Sequence, residues 1–582
     1  MVSPRPAPYS GYAAALRTPQ RRLADIAVLA GVVVLFWLLS ELSRDFTGSF
    51  DPDFAPASVS TDPRLLPEFA ARSLLRMFLA LGASTVFSFV VATAAARLPR
   101  AGRVLVPALD VLQSVPVLGF LSVTLGVWLA LFPGSMLGVE LAAIFAIFTS
   151  QVWNMTFAYY QSLRTQPRDL VEAARSLRLT PWQRFWRLDA PHGAFPLVWN
   201  GMMSFGGGWF FLIASEVLSV NQQRVALPGI GAYAAAAAQN EEPGRIVLAI
   251  AVMVLMIVSV NFVFWRPLTA WAERFRVGDT GTAEPQRSAV LDLLRRSDLP
   301  RAFGRLFTPL GDLRERLTRP RIRPKRPADS TPRNHRVLDR LLTGVLIALI
   351  AWGVLAMLVS VGANGGLAQF GHAAGLGVVT FARVLVVLTL GTLVWVPIGV
   401  WIGLNPKVTR IAQPIVQVLA SFPANFLFPF ATLALLATGI SLDVGGILLM
   451  SLGAQWYLLF NVIAGAAAIP NDLREAARSL RLPRVTTWRT LIWPAVFSSW
   501  VTGALTAAGG AWNASIVAEV VSYGDHTLTA TGLGAYIAEA TEQGDFTRVL
   551  VGVTVMSVLV VGLNRVLWRR LYTLAESRYS LT

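Results

Sequence analysis

The octapeptide EAARSLRL occupies Glu172–Leu179 and stands again, unchanged, at Glu475–Leu482. It is short, charged and helix-favouring, yet it lies between long apolar runs, so its duplication fixes the register of an internal repeat. Carrying the same offset of 303 along the chain pairs Trp153 with Trp456, Pro191 with Pro494, and Gly206 and Gly207 with Gly509 and Gly510. It also pairs Trp209 with Trp512, Glu216 with Glu519, Gly231 with Gly534, Tyr233 with Tyr536 and Trp265 with Trp568. Upstream an offset of 307 pairs Arg76 with Arg383, Pro107 with Pro414, Ser114 with Ser421 and Pro116 with Pro423, so a four-residue length difference falls between the third and fourth apolar runs. The chain reads as two copies of one unit.

Of 582 residues, 54% are hydrophobic and 14% charged, which is the balance of a polytopic membrane protein. At about 20 residues per crossing, apolar runs lie near 24–42, 74–96, 113–132, 141–160, 195–219 and 246–265. A second six lie near 341–360, 381–403, 419–438, 446–465, 497–521 and 548–567. The fold class expected is an all-α integral membrane protein of about twelve transmembrane helices, built as two parallel six-helix repeats. An even number of crossings returns each copy to the same orientation, which places a pseudo-two-fold axis along the membrane normal. The segment LSELSRDF after the first run offers no small-residue cleavage site, so that run reads as a retained span.

Arginine collects in alternate loops: RTPQRR before the first run, RLPRAGR after the second, the long loop after the fourth and WRPLTAWAERFR after the sixth. The intervening loops, such as QNEEPG, are acidic or neutral, which puts the arginine-rich side and both termini in the cytoplasm. The formal charge of +17 is thereby read as topology, and nucleic acid is not an expected partner. The domains expected are a cytoplasmic segment 1–23, a first six-span domain 24–276 with its loop at 161–193, a basic linker 277–336, and a second six-span domain 337–582 with its loop at 466–496. Within the linker, SAVLDLLRRSDLPRAFGRLF reads as an amphipathic or solvated helix.

Cysteine is absent, and the four histidines show no metal-ligand spacing. No phosphate-binding G-x-x-x-x-G-K-[ST] occurs; Lys325 and Lys407 are the lysines, both in polar segments without it. No nucleophile–base constellation stands out, so the chain is not expected to be an enzyme or to bind a cofactor.

The phrase Glu-Ala-Ala, a spacer and a closing proline, present as EAARSLRLTPWQRFWRLDAP and EAARSLRLPRVTTWRTLIWP, resembles the EAA loop of permease subunits of bacterial ATP-binding-cassette importers. Other blocks are similar to the nitrate, sulfonate, taurine and bicarbonate branch: SLLRMFLALG and TFARVLVVLTLG, LDVLQSVPVLGF and IVQVLASFPANFLFP, and GGAWNASIVAEV followed by GLGAYI. The resemblance covers each half apart from its first span and the linker. It implies two fused permease domains that form the pathway for a small solute, an anion of the nitrate, sulfonate or bicarbonate type. It also implies two separate ATPase subunits, which hold ATP and Mg, and a periplasmic or lipid-anchored solute-binding protein docking on the outer loops.

The residues expected to couple to the ATPases are Glu172, Ala173, Ala174, Arg175, Arg178 and Pro191, with Glu475, Ala476, Ala477, Arg478, Arg481 and Pro494. The alanines admit a close approach, and Glu172 and Arg175 offer charges to pair across a contact. The sequence departs from the family pattern at Arg178 and Arg481, where the family usually has glycine at a turn. Glycine permits a left-handed turn that arginine resists, so either the helix runs on to Pro181 and Pro483, or the turn is made differently. For the pathway, the candidates are Trp209, Trp512, Asn513 and Ser515 on the fifth spans, together with the paired Arg76, Arg383, Glu216 and Glu519. Arg76 and Arg383 draw in an anion, snorkel to outer headgroups or cap a neighbouring carboxylate, and Glu216 and Glu519 are gate residues or interface anchors. Rival readings are a twelve-span secondary transporter, which needs mid-membrane carboxylates for ion coupling, and an ATP-driven exporter or membrane scaffold.

Overall fold

A computed structural model describes residues 58–113, 115–220, 223–275, 288–297 and 365–578, with scattered positions in 25–48 and 344–363. The first expected span of each half, near 24–42 and 341–360, falls largely outside the described residues, as does most of the linker. Contacts divide the chain into two units. One comprises Met1–Arg44, Ser162–Trp199 and Ser259–Asp329; the other comprises Asp45–Gln161, Asn200–Val258 and Ser330–Thr582.

Eight helices among the described residues are long and apolar enough to cross a membrane, and a ninth crossing is made if the bent pair Pro406–Ser421 and Ala424–Thr438 counts as one. In the first half the long elements are α1 (Leu66–Arg97), α2 (Pro99–Leu112), α3 (Val117–Leu131), α4 (Met136–Arg164), the short α5 (Arg168–Ser176), α6 (Ala190–Ser215), α7 (Ile230–Gln239) and α8 (Pro243–Val260). The linker contributes α9 (Ala289–Arg296). The second half repeats the order as α10 (Gln369–Gly403), α11 (Pro406–Ser421), α12 (Phe428–Thr438), α13 (Leu442–Ala467), α14 (Asn471–Ser479), α15 (Trp493–Ala518), α16 (Leu533–Glu542) and α17 (Phe546–Leu563).

The third span of each half departs from the sequence expectation of one continuous helix. Both break at a proline, Pro116 and Pro423, with extended ψ of 117° and 111°. Proline has no N–H for the ladder and forces its predecessor out of the helical region, so an amphipathic piece precedes the break and an apolar piece follows it. The second helix of that pair turns by 77° in the second half.

The fifth spans end earlier than expected and give way to two-stranded hairpins. β1 (Val217–Val220) pairs antiparallel with β2 (Gln223–Ala226), and β3 (Val520–Tyr523) with β4 (His526–Thr529). In the second hairpin Gly524 holds the first loop position at φ 57°, the conformation a two-residue turn demands. Each fifth span also begins with a π-helical turn, Phe185–Asp189 or Trp488–Ile492, directly before the closing residues Ala190–Pro191 and Trp493–Pro494. The proline cannot donate and its ring crowds the preceding carbonyls, so the wider turn absorbs it.

The amphipathic linker piece is a helix capped by Ser288, whose Oγ accepts from Leu291 N at 3.3 Å. Leu291 is buried, and Ser297 just beyond the helix donates to Asp25 Oδ1 at 2.7 Å.

Candidate functional site

The two EAA loops are built alike. α5 and α14 are nine-residue helices that stop at Ser176 and Ser479, so the helix does not run on to Pro181 or Pro483. The turn is made with arginine: Arg178 and Arg481 sit in the left-handed region at φ 48° and 47°. Arg178 N donates to Arg175 O at 2.9 Å and Leu179 N to Ala174 O at 3.1 Å; in the second loop the same bonds are 3.0 and 3.1 Å, from Arg481 to Arg478 and from Leu482 to Ala477. This pair of bonds satisfies the last carbonyls of a helix and normally places glycine at the left-handed position. Arginine there costs about 1 kcal/mol in backbone strain.

The faces these helices present are polar and apolar at matched positions. Glu172, Ala173 and Arg175 are exposed, as are Glu475, Ala476 and Arg478, while Ala174 is buried and Ala477 half-buried. Leu177 and Leu480, just before the arginines, are 72% and 71% exposed, matched between the two loops. Neither Glu172 with Arg175 nor Glu475 with Arg478 forms an ion pair among the described residues, so those charges are unspent.

The loops differ in how they are anchored. In the first, Thr180 Oγ1 accepts from Gln183 N at 3.2 Å and Gln183 Oε1 accepts from Thr180 N at 3.0 Å, a reciprocal cap. Its exit holds a buried polar group, with Gln166 Nε2 donating to Asp189 Oδ1 at 3.0 Å and Arg184 Nε at 3.6 Å from the same oxygen. The second loop has Ile469 and Ile492 at the equivalent positions, both buried, and is held by Arg474 Nη2 donating to Leu404 O at 2.7 Å.

At the far ends of the fifth spans the paired arginines and glutamates meet. Arg76, on α1, grips Glu140 of α4 with two bonds, Nε to Oε2 at 2.6 Å and Nη2 to Oε1 at 2.7 Å. Its Nη1 donates to Glu216 Oε1 at 2.8 Å and to Pro228 O at 3.0 Å. Glu216 closes α6, and its carboxylate accepts from Ser73 Oγ at 2.5 Å and from Gly231 N at 2.6 Å. Ser73 Oγ in turn accepts from Ile230 N at 3.0 Å. The first N–H groups of α7 therefore find their acceptors in α1 and α6, a negative group lying where the helix dipole favours one.

The second half repeats this with two substitutions, Asp443 for Glu140 and Thr380 for Ser73. Arg383 Nη2 donates to Asp443 Oδ1 at 2.5 Å and Nη1 to Glu519 Oε1 at 2.9 Å; Thr380 Oγ1 donates to Glu519 Oε1 at 2.8 Å and accepts from Leu533 N at 2.8 Å. Glu519 Oε2 accepts from Ala535 N at 3.1 Å. Arg76 and Glu216 are fully buried, whereas the Asp443 side chain is 49% exposed. The guanidinium groups of Arg76 and Arg383 are thus occupied by carboxylates. Glu140 and Asp443, at the same offset of 303, and Ser73 and Thr380, at 307, complete the networks. These four were not singled out from the sequence, although Glu140 and Asp443 are carboxylates at repeat-equivalent positions just before an apolar run.

Each network leaves no room for a side chain at the residue that opens the next helix. A Cβ at Gly229 would fall on the Glu216 carboxylate, and one at Gly532 on that of Glu519. Gly229→Ala or Gly532→Ala is expected to lower stability by about 1–3 kcal/mol through overpacking. Melting of the purified chain in detergent measures it, and an unchanged midpoint would contradict the tight approach.

Nearby, Tyr233 Oη donates to Thr61 O at 3.0 Å, and burial pushes both the Tyr233 and Tyr536 phenols up, so they remain donors. Here an open cavity of about 490 Å³ is lined by Ile213, Ala232, Asn425, Phe426, Ser522 and Thr541 among others.

Deeper along the fifth spans lies a small cavity of about 40 Å³, bounded by Gly207, Phe210, Phe211, Phe422, Tyr457 and Asn513. It has room for a few waters and is too small for an organic solute. Asn513 Oδ1 accepts from Val117 N at 3.1 Å, at the helix break of the first half. Asn425 Nδ2 reaches Phe210 O at 3.4 Å, at the break of the second. Of the residues expected on the pathway, Asn513 lines this cavity. Trp209 and Trp512 are buried in helix contacts, against Phe205 at 5.5 Å and Phe381 at 6.3 Å between ring centroids. Ser515 Oγ donates to Trp512 O at 2.8 Å within its own helix. The lining by Phe210, Phe211, Phe422 and Tyr457 was not singled out from sequence, because an aromatic in an apolar run carries no mark of what it faces.

Residues 66–266 and again 395–580 match the model of the binding-protein-dependent transport system inner membrane component. The chain belongs to that family. It is a permease with two such domains fused in one polypeptide. Among its relatives, the nitrate import permease of Synechocystis is 27% identical over 206 residues, covering 35% of this chain and 70% of the relative. The bicarbonate transport system permease of Synechococcus elongatus is 25% identical over 188 residues, 32% of this chain and 64% of the relative. The taurine transport system permease of Escherichia coli is 26% identical over 196 residues, 33% of this chain and 67% of the relative. Each alignment spans about a third of the permease, roughly the length of one domain.

Proposed function

We propose that this permease forms the translocation pathway of an ATP-driven importer in the bacterial inner membrane and that its two EAA loops seat two separate ATP-binding-cassette ATPase subunits. ATP and Mg reside in those subunits. The observation that carries the reading is the pair of loops. Each presents an exposed Glu, Ala and Arg from the Glu-Ala-Ala-Arg phrase and the same left-handed turn, and each leads through a π-turn and a proline into a fifth span. In the second half that span is one helix of 26 residues, about 39 Å long, running from Trp493 to the Glu519 network. A rigid helix of this length carries motion of the loop to the opposite end, where Glu519 ties it to α10 and α16.

The solute is a small anion of the nitrate, sulfonate or bicarbonate type, a reading supported by the relatives' names. Both termini and the EAA loops lie in the cytoplasm, on the arginine-rich side. A periplasmic or lipid-anchored solute-binding protein docks on the opposite side, around the two hairpins. Because the cavity at Asn513 is too small for an organic solute, the helices must part there for passage; rocking of the fifth spans does that.

Reconstitution in liposomes tests this. Uptake of labelled nitrate, bicarbonate or taurine is expected only with ATP, the ATPase subunits and the binding protein together. Proton-driven uptake by the permease alone would overturn the reading in favour of a secondary transporter.

A further inference from the structure

Arg178 and Arg481 hold the position in their loops where glycine is the residue the backbone favours. Both do so with the same φ to within one degree and with matching hydrogen bonds, although the residues that follow, TPWQRFWR and PRVTTWRT, have diverged. Both side chains are exposed, and neither forms a hydrogen bond or ion pair among the described residues. Nothing among the described residues therefore explains why arginine stands there twice. A favourable interaction with the helix dipole does not distinguish these positions, because Arg175 and Arg478 already occupy the last turns.

The surroundings say what covers them. Each arginine follows a leucine that is more than two-thirds exposed, so the tip joins one apolar and one cationic group. An anionic bilayer is a poor match, because the same short helices expose Asp169 and Glu172, or Asp472 and Glu475. A protein surface with an apolar floor beside a carboxylate fits both groups, and guanidinium pairs with carboxylate by two parallel bonds.

We infer that Arg178 and Arg481 are partner-selecting contacts. Each guanidinium, with Leu177 or Leu480 beside it, seats in an apolar pocket edged by a carboxylate on the ATPase subunit, and so selects that ATPase over one fitted to a loop with glycine at the turn. The inference rests on the reading that the EAA loops seat ATPases, and it deepens that reading from a shared socket to a matched one.

The test uses the full-length permease, tagged and expressed in its own cell. The ATP-binding-cassette subunit that co-purifies is identified and re-expressed, and its affinity is measured for the permease in nanodiscs. Arg178→Gly with Arg481→Gly is expected to weaken binding by about tenfold for each loop. The melting midpoint stays the same or rises, since glycine suits the turn. Arg178→Lys with Arg481→Lys keeps the charge and loses the paired geometry, so its affinity falls between the two. Binding of the glycine pair within twofold of the original overturns the inference while leaving the socket reading intact. A loss seen only in anionic nanodiscs overturns it in favour of headgroup contact. Failure of the unaltered permease to retain any ATPase removes the socket reading itself.

Discussion

Glu172→Lys combined with Glu475→Lys is expected to abolish both retention of the ATPase subunits and ATP-driven uptake, with the permease still folded. Both glutamates are exposed on nine-residue helices and form no ion pair among the described residues, so the native fold draws little on them. Lysine introduces a like-charge neighbour three residues from Arg175 or Arg478, a penalty of about 0.2–0.5 kcal/mol on a helix surface. At a buried contact the same reversal leaves a charge facing its own sign and costs about 2–5 kcal/mol for each loop. Pull-down and melting on the same sample separate the two. Loss of ATPase with an unchanged midpoint supports a socket; a parallel collapse of the fold would mean that the loop is structural.

Arg76→Ala is expected to be the most destabilising single substitution in either network. It strips two buried carboxylates, Glu140 and Glu216, of their shared cation, and breaking a buried pair in this way costs about 3–5 kcal/mol. Arg383→Ala is expected to cost less, because its partner Asp443 is half-exposed to solvent and also accepts from Thr531 N at 2.9 Å. The order of the two melting midpoints in detergent is the check: Arg76→Ala lowest, Arg383→Ala between it and the unaltered chain. Equal midpoints would contradict the inference that burial, rather than pairing alone, sets the penalty.

Much of this architecture was legible in the sequence because apolar runs, arginine bias and repeat register are strong signals that do not depend on what packs against what. The helical runs, the pairing of Glu216 with Glu519 and the loop phrases all follow from them. The breaks at Pro116 and Pro423 were less legible: each proline stands within the first few residues of an expected run, and the apolar helix starts only after it. The hairpins lay in plain view as VLSVNQQRVA and VVSYGDHTLT, with β-branched residues in alternation around a turn, yet they abut helical spans that mask the change of period. Arg178 and Arg481 show the opposite case. The sequence flagged them as out of place and left two conformations open, and only the backbone angle decides that the glycine turn survives without glycine. Which residues line the pathway was the least legible feature, since Trp209 and Asn513 both stand on fifth spans and differ in which way they face.

On the proposed reading, one polypeptide carries two equivalent ATPase sockets serving one pathway. Native mass spectrometry of the complex in nanodiscs tests it most directly. Two ATPase subunits per permease are predicted, falling to one with Glu475→Lys alone and to none with both loops reversed; a complex that holds a single ATPase, or that keeps two after both reversals, would contradict it.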